Sequence, residues 1–168
     1  MKRYIMYLIA YSVGGFVLER IINLIFLQEW YDNSVLVGPY QPLYGNGVLL
    51  GVLFMEYVYP KIHANTVIKE GTFILVAILA TALSEATTGY FFEWLTGIHL
   101  WDYGQTFTCN LEYVCLIPTS LFGIISYLVI KYLHPRFKIW LDRTPNSVFI
   151  PLLVIIIIDI VYTFYTLV

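Results

Sequence analysis

Five apolar stretches, separated by short polar ones, organise the chain: about Tyr4 to Leu27, Gly45 to Tyr59, Gly71 to Thr96, Glu112 to Leu133 and Val148 to Val168. A bilayer core takes about 20 helical residues to cross, so the pattern predicts a bundle of membrane-spanning α-helices. Polar residues within the stretches recur at helical spacing. In the first, Ser12, Gly15, Glu19 and Asn23 fall within one narrow arc, with Arg20 beside it. In the third, Thr81, Ser84, Glu85 and Thr88 share a face, and Gly89 and Glu93 rotate off it. In the fourth, Cys115, Thr119 and Ser126 align, and Pro118 predicts a kink. In the fifth, Asp159, Thr163 and Thr166 align within an otherwise aliphatic run. Such stripes should face the bundle interior, where polar groups find partners.

The basic residues set the orientation. Lys2 and Arg3 precede the first stretch, Lys61 and Lys69 lie between the second and third, and Lys131, Arg136, Lys138 and Arg143 lie at or between the fourth and fifth. Only Arg20 departs from that side. The opposite connections hold Glu29, Asp32 and Asp102, with Glu112 at their edge, and no Lys or Arg. The positive-inside rule therefore predicts five spans, with the N-terminus cytoplasmic and the C-terminus external. The opening Met1-Lys2-Arg3 resembles the start of a signal peptide. However, the apolar run continues past Glu19 without a small-residue cleavage site, which predicts a retained first helix.

Composition agrees with this reading. The 168 residues are 60% hydrophobic and 12% charged, with a mean hydropathy of +0.76, outside the range of ordinary soluble domains. The expectation is one all-α transmembrane domain over residues 1–168. It leaves no room for a soluble nucleotide-binding domain, and no basic tail or patch points to nucleic acid. Tyr31 to Gly47 is rich in turn formers yet too apolar for a plain solvated loop. An external segment that folds back into the bundle is the expectation there. Gly47 and Gly51 provide a small-residue spacing for close helix contact.

The chemistry is carried by acids. A carboxylate within hydrocarbon is costly and marks a functional site by default. By helical rise, Glu19 and Glu85 fall in the outer half of the bilayer and Glu93 near the external interface, to which the following loop brings Trp101, Asp102, Tyr103 and Asn110. Trp101 and Tyr103 also suit an interfacial aromatic belt. Asp159 lies about midway along the fifth stretch, and Arg20 is the one embedded base available to pair with it. Cys109 and Cys115 lack the second Cys or His pair of a zinc site and are read as two unlinked thiols, with a disulfide as the alternative. The sequence contains no phosphate-binding glycine loop, nucleophile elbow or H-E-x-x-H motif, and predicts no catalytic, metal or cofactor set. His63 and His134 lie on the cytoplasmic side; only His99 is near the acids.

Several short motifs occur in a familiar order: Tyr11-Ser12 with Gly15 through Glu19, GPYQPLYGNG at Gly38 to Gly47, and E-x-x-T-G-x-x-x-E at Glu85 to Glu93. They are followed by WDY at Trp101 to Tyr103, Asn110-Leu111, Cys115-Leu116, Ser120 and Gly123. Over about Tyr11 to Gly123 the chain resembles the bacterial membrane proteins grouped as putative ABC-transporter type IV permeases. It departs from their pattern at Phe16 and Phe122, where Trp is expected, and at Glu112, where Gly is expected. The resemblance implies a transport component of the bacterial cytoplasmic membrane, with a separate ATPase or other membrane subunit as partner. Homo-oligomers are also compatible with it.

Three function classes remain. The first is a transport component whose outward-facing acidic pocket takes a small cationic or polar ligand, or protons. Its ligand-binding residues would be Glu19, Arg20, Tyr44, Glu85, Glu93, Asp102, Tyr103 and Asn110, with the Gly38–Gly47 segment as gate. The second is a membrane-embedded enzyme acting on a lipid or isoprenoid head group, with the same carboxylates as acid and base. The third is a structural or regulatory subunit whose polar stripes hold the helices together.

Overall fold

A computed structural model describes residues 1–26, 28, 34–104, 109 and 111–167. Every regular element among them is helical: α1 (Lys2–Phe26), α2 (Pro42–Tyr57), α3 (Thr66–Thr96), α4 (Leu116–Leu128), α5 (His134–Asp142) and α6 (Asn146–Leu167). A 3-10 turn at Tyr59–Lys61 follows α2, and a π-helical turn at Val129–Leu133 joins α4 to α5.

Four helical runs among the described residues are long and apolar enough to cross a membrane: Lys2–Ile25, Thr66–Thr96, Leu116–Asp142 and Asn146–Leu167. The second of the five expected crossings falls on α2. Its 16 residues rise only about 24 Å at 1.5 Å each, short of a hydrocarbon core of about 30 Å. In α6, Ile155, Ile158 and Val161 are each 62% exposed and only Thr163 is buried, as expected for a helix whose surroundings are hydrocarbon.

The ends of α3 follow from their residues. Asn65 caps the N-terminus by accepting the Ile68 N–H at 2.9 Å. Gly97 closes the C-terminus at φ 71°, a left-handed conformation that glycine adopts without a Cβ penalty, and its N–H bonds the Glu93 carbonyl. The fourth run differs from expectation. Its helix starts at Leu116, so Pro118 lies in the first turn, where its missing N–H has no intrahelical partner to lose and requires no kink. The irregularity comes instead at the π-helical turn.

The chain divides into two compact units, Met1–Gly45 with Lys138–Val168, and Asn46–Phe137. In the first, Lys2 reaches the Thr144 carbonyl and the Asn146 side chain, both at 2.6 Å, and buried Tyr7 donates to Asp142 at 2.5 Å. The predicted polar face of α1 is largely buried, with Ser12 and Asn23 inside. A Cβ on Gly45 would lie 2.5 Å from the Leu8 carbonyl oxygen, which explains why the start of α2 can approach α1 so closely. In the second unit, fully buried Phe73 is ringed by Phe54, Tyr59 and Tyr127 at centroid distances of 5.2 to 5.6 Å. Gly123 lets α4 press on α3, since a Cβ there would meet Ile78 Cα at 2.5 Å. Glu70 fastens one end by accepting from the Tyr59 and Tyr127 hydroxyls and pairing with Lys131.

Candidate functional site

Glu85 is the most deeply buried acid among the described residues, 3% exposed on the inner face of α3 together with Thr81, Ser84 and Gly89. The 3.6-residue period predicts that face, and it is the one α3 buries. Thr119, in the first turn of α4, donates its hydroxyl to Glu85 Oε2 at 2.5 Å and accepts the Cys115 N–H at 3.2 Å. The Tyr103 side chain is a second hydrogen-bond partner of Glu85. Two of the sequence-predicted residues, Glu85 and Tyr103, are thus brought together, and buried Thr119 joins them. Hydroxyls can donate or accept, so this site can hold a carboxylate, a carboxylic acid or a carboxylate bound to a cation.

At the end of α3 a second constellation forms. The hydroxyl of fully buried Tyr113 donates to Glu93 Oε2 at 3.0 Å and lies 2.8 Å from His99 Nδ1. His99 Nε2 is 3.0 Å from Glu93 Oε1, and one ligand atom each from Glu93, His99 and Glu112 lies within 4.8 Å of the others. Burial first, then the bond to Glu93, pushes the Tyr113 hydroxyl up to about 12, so it stays protonated at neutral pH. Gly89 makes room for this tyrosine, because a Cβ there would fall 2.3 Å from its ring. Trp101 Nε1 donates to the Tyr113 carbonyl at 3.2 Å, and the Tyr103 N–H to the Glu112 carbonyl at 2.7 Å. Cys109 and Cys115 form a disulfide rather than two free thiols, which fastens the loop at the foot of α4. Asp102 is exposed and accepts the Gly104 N–H at 2.6 Å, closing a turn. Asn110, Glu29 and Asp32 lie outside the described residues.

In the first unit, Glu19 accepts the Tyr44 hydroxyl at 2.9 Å. Gly15 permits this approach, since a Cβ there would lie 2.3 Å from Tyr44 Cβ. The Arg20 guanidinium lies over the Phe16 ring, 4.3 Å from its centroid. Asp159 does not pair with Arg20. It accepts the backbone N–H groups of Val37 at 3.1 Å and Gly38 at 2.9 Å, the Tyr40 hydroxyl at 2.6 Å and the Thr163 hydroxyl at 3.3 Å. The start of the Gly38–Gly47 segment is therefore anchored to the last helix. A cavity of about 460 Å³ next to this cage is lined almost wholly by apolar side chains, among them Ile9, Val13, Ile155 and Tyr162.

Sequence reasoning missed Thr119, Tyr113 and Glu112 as site residues and left Asp159 without a role. The alignment of Thr119 with Cys115 was the one available signal for the first. Comparison with known proteins adds one finding. Residues 6–166 match the model of a family described as putative ABC-transporter type IV, so the likeness runs past Gly123 and includes α6 and Asp159. No curated protein and no solved structure matches the chain.

Proposed function

We propose, from the premise that the chain belongs to the putative ABC-transporter type IV family, that it is a permease-like component taking a small cationic or polar ligand, or protons, at embedded carboxylates. The observation that carries this reading is Glu85, buried in an apolar span yet held by hydroxyls. An acid kept there at a cost in desolvation, without a fixed counter-charge among its named partners, is suited to bind and release a cation. Glu19 with Tyr44 forms a second carboxylate–tyrosine pair, in the other unit.

The reading includes five crossings, with α2 as the short one, a cytoplasmic N-terminus and an external C-terminus. Two independent features support that orientation. Basic residues collect at one set of connections, and the Cys109–Cys115 disulfide, in the connection between α3 and α4, suits an oxidising external side. A multi-pass location in the bacterial cytoplasmic membrane and a separate ATPase subunit complete the proposal.

The test is uptake or proton flux in proteoliposomes for Glu19→Gln, Glu85→Gln and the double variant, with small amines and monovalent cations as probes. Loss of flux in Glu85→Gln with a retained melting temperature is expected. Flux that survives the double substitution unchanged overturns the reading.

A further inference from the structure

We infer that Glu93, His99 and Glu112 form a binding site for a divalent transition-metal ion of the zinc class, distinct from the Glu85 site two turns earlier on α3.

The inference begins with the protons. Tyr113 has a single hydroxyl proton, and Glu93 Oε2 takes it, because a carboxylate only accepts. The 2.8 Å contact from the Tyr113 oxygen to His99 Nδ1 then requires the ring to donate, which places the proton on Nδ1. In the neutral ring Nε2 is left with a lone pair, and it faces Glu93 Oε1 at 3.0 Å. Two lone pairs at that distance repel, so the gap calls for a positive species: a proton on Nε2 or a metal ion.

Glu112 favours the metal ion. Its carboxylate closes a third side, with all three donor atoms within 4.8 Å of one another. Two carboxylates and a neutral imidazole carry two negative charges, which a divalent ion cancels and a single proton does not. Tetrahedral zinc, with ligands at about 2.0–2.1 Å, sets donor atoms about 3.4 Å apart. The Glu93–His99 edge already approaches that spacing, and the exposed Glu112 side chain is free to adjust. The imidazole ligand selects against magnesium and calcium, which prefer all-oxygen sites. Tyr113 meanwhile fixes both the histidine tautomer and the Glu93 carboxylate, as outer partners do in metal sites. With three protein ligands, the remaining positions are open to water.

The site would join the end of α3 to the loop before α4, and it stands whether or not the Glu85 reading holds. The test uses the full chain, purified in detergent, stripped with a chelator and titrated with Zn²⁺ by calorimetry and with Co²⁺ by visible absorption. One saturable ion per chain is expected, with a Co²⁺ spectrum of low coordination number. His99→Ala and Glu112→Gln should abolish saturable binding; both residues are exposed, so the fold should survive. Tyr113→Phe keeps the buried ring and should weaken binding about 10–100-fold through the lost outer bonds. A stripped wild-type chain that binds no Zn²⁺, or His99→Ala and Glu112→Gln variants that bind as tightly as wild type, overturns the inference. Equal or tighter binding of Mg²⁺ also overturns it.

Discussion

Asp159 and Glu85 are both acids in the middle of apolar helices, and their partners differ in kind. Asp159 receives two backbone N–H groups and two hydroxyls, so donors occupy both of its oxygens. Among the partners of Glu85 identified above, none is a backbone donor; both are side-chain hydroxyls. A backbone N–H only donates and cannot turn away, whereas a hydroxyl can reverse its role. The Asp159 cage is therefore fitted to one task, holding Val37 to Tyr40 against α6. The hydroxyls around Glu85 can pair with either a carboxylate or a carboxylic acid. An embedded acid is thus a poor guide to function until its donors are known.

Breaking the cage should have the largest effect on the fold. Asp159→Ala strands two backbone N–H groups and the Tyr40 hydroxyl, and stranded buried donors cost about 1–3 kcal/mol each. Because Val37 is exposed and can recover water, the expected loss is about 3 kcal/mol, read as a lower melting temperature in detergent. If Asp159→Ala melts with wild type, the cage is not an anchor and the contrast collapses. Glu85→Gln should show the opposite profile. The amide keeps the volume and both hydroxyls can pair with it, so stability should fall by about 1 kcal/mol or less. Ligand or proton flux should fall at least tenfold, a differential interaction of about 1.4 kcal/mol. A Glu85→Gln variant that unfolds yet retains flux per folded molecule assigns Glu85 to structure.

Thr119 sharpens the comparison on the Glu85 side. Thr119→Ala removes a donor to Glu85 and an acceptor for the Cys115 N–H together, for about 1–2 kcal/mol. Thr119→Ser keeps the hydroxyl and should restore both stability and flux. Failure of serine to rescue would show that the threonine methyl, not the hydrogen bond, is what the site requires.

Periodicity revealed the faces and not the partners. Thr81, Ser84 and Glu85 recur at helical spacing, so the buried side of α3 was legible, as was its C-terminal end; its start, capped by Asn65, precedes the apolar stretch that begins at Gly71. The length of α2 was legible too, but hydropathy alone does not say whether a 15-residue apolar stretch crosses. Pro118 misled because its effect depends on whether it lies in the first turn or later, and a helix that begins beside Cys115 already places it in the first turn. The Asp159 cage was invisible, because its donors are main-chain groups of a loop that carry no side-chain signature. Arg20 was the obvious counter-charge by type, yet its guanidinium lies over Phe16. Glu93, His99 and Glu112 come from a helix end, a loop and a pre-helical turn, so no fixed spacing links them. Cys109 and Cys115 are close enough in sequence that only the loop conformation decides between thiols and a disulfide.

The finest test deletes one hydroxyl from each acid. Tyr40→Phe removes a donor from Asp159 and Tyr103→Phe removes one from Glu85, the same chemical change at two sites. Each should lower stability by about 1 kcal/mol, the ordinary net worth of such a bond. Asp159 would keep its two backbone donors and the Thr163 hydroxyl, so Tyr40→Phe should leave flux and its pH dependence as in wild type. Glu85 would lose one of two hydroxyls, so Tyr103→Phe should shift the pH profile of flux as well as lower stability. The informative readout is the difference between the two profiles, since lost stability alone is shared. Superimposable pH profiles for the two variants would mean that the type of donor around an embedded acid does not separate anchoring from exchange in this protein.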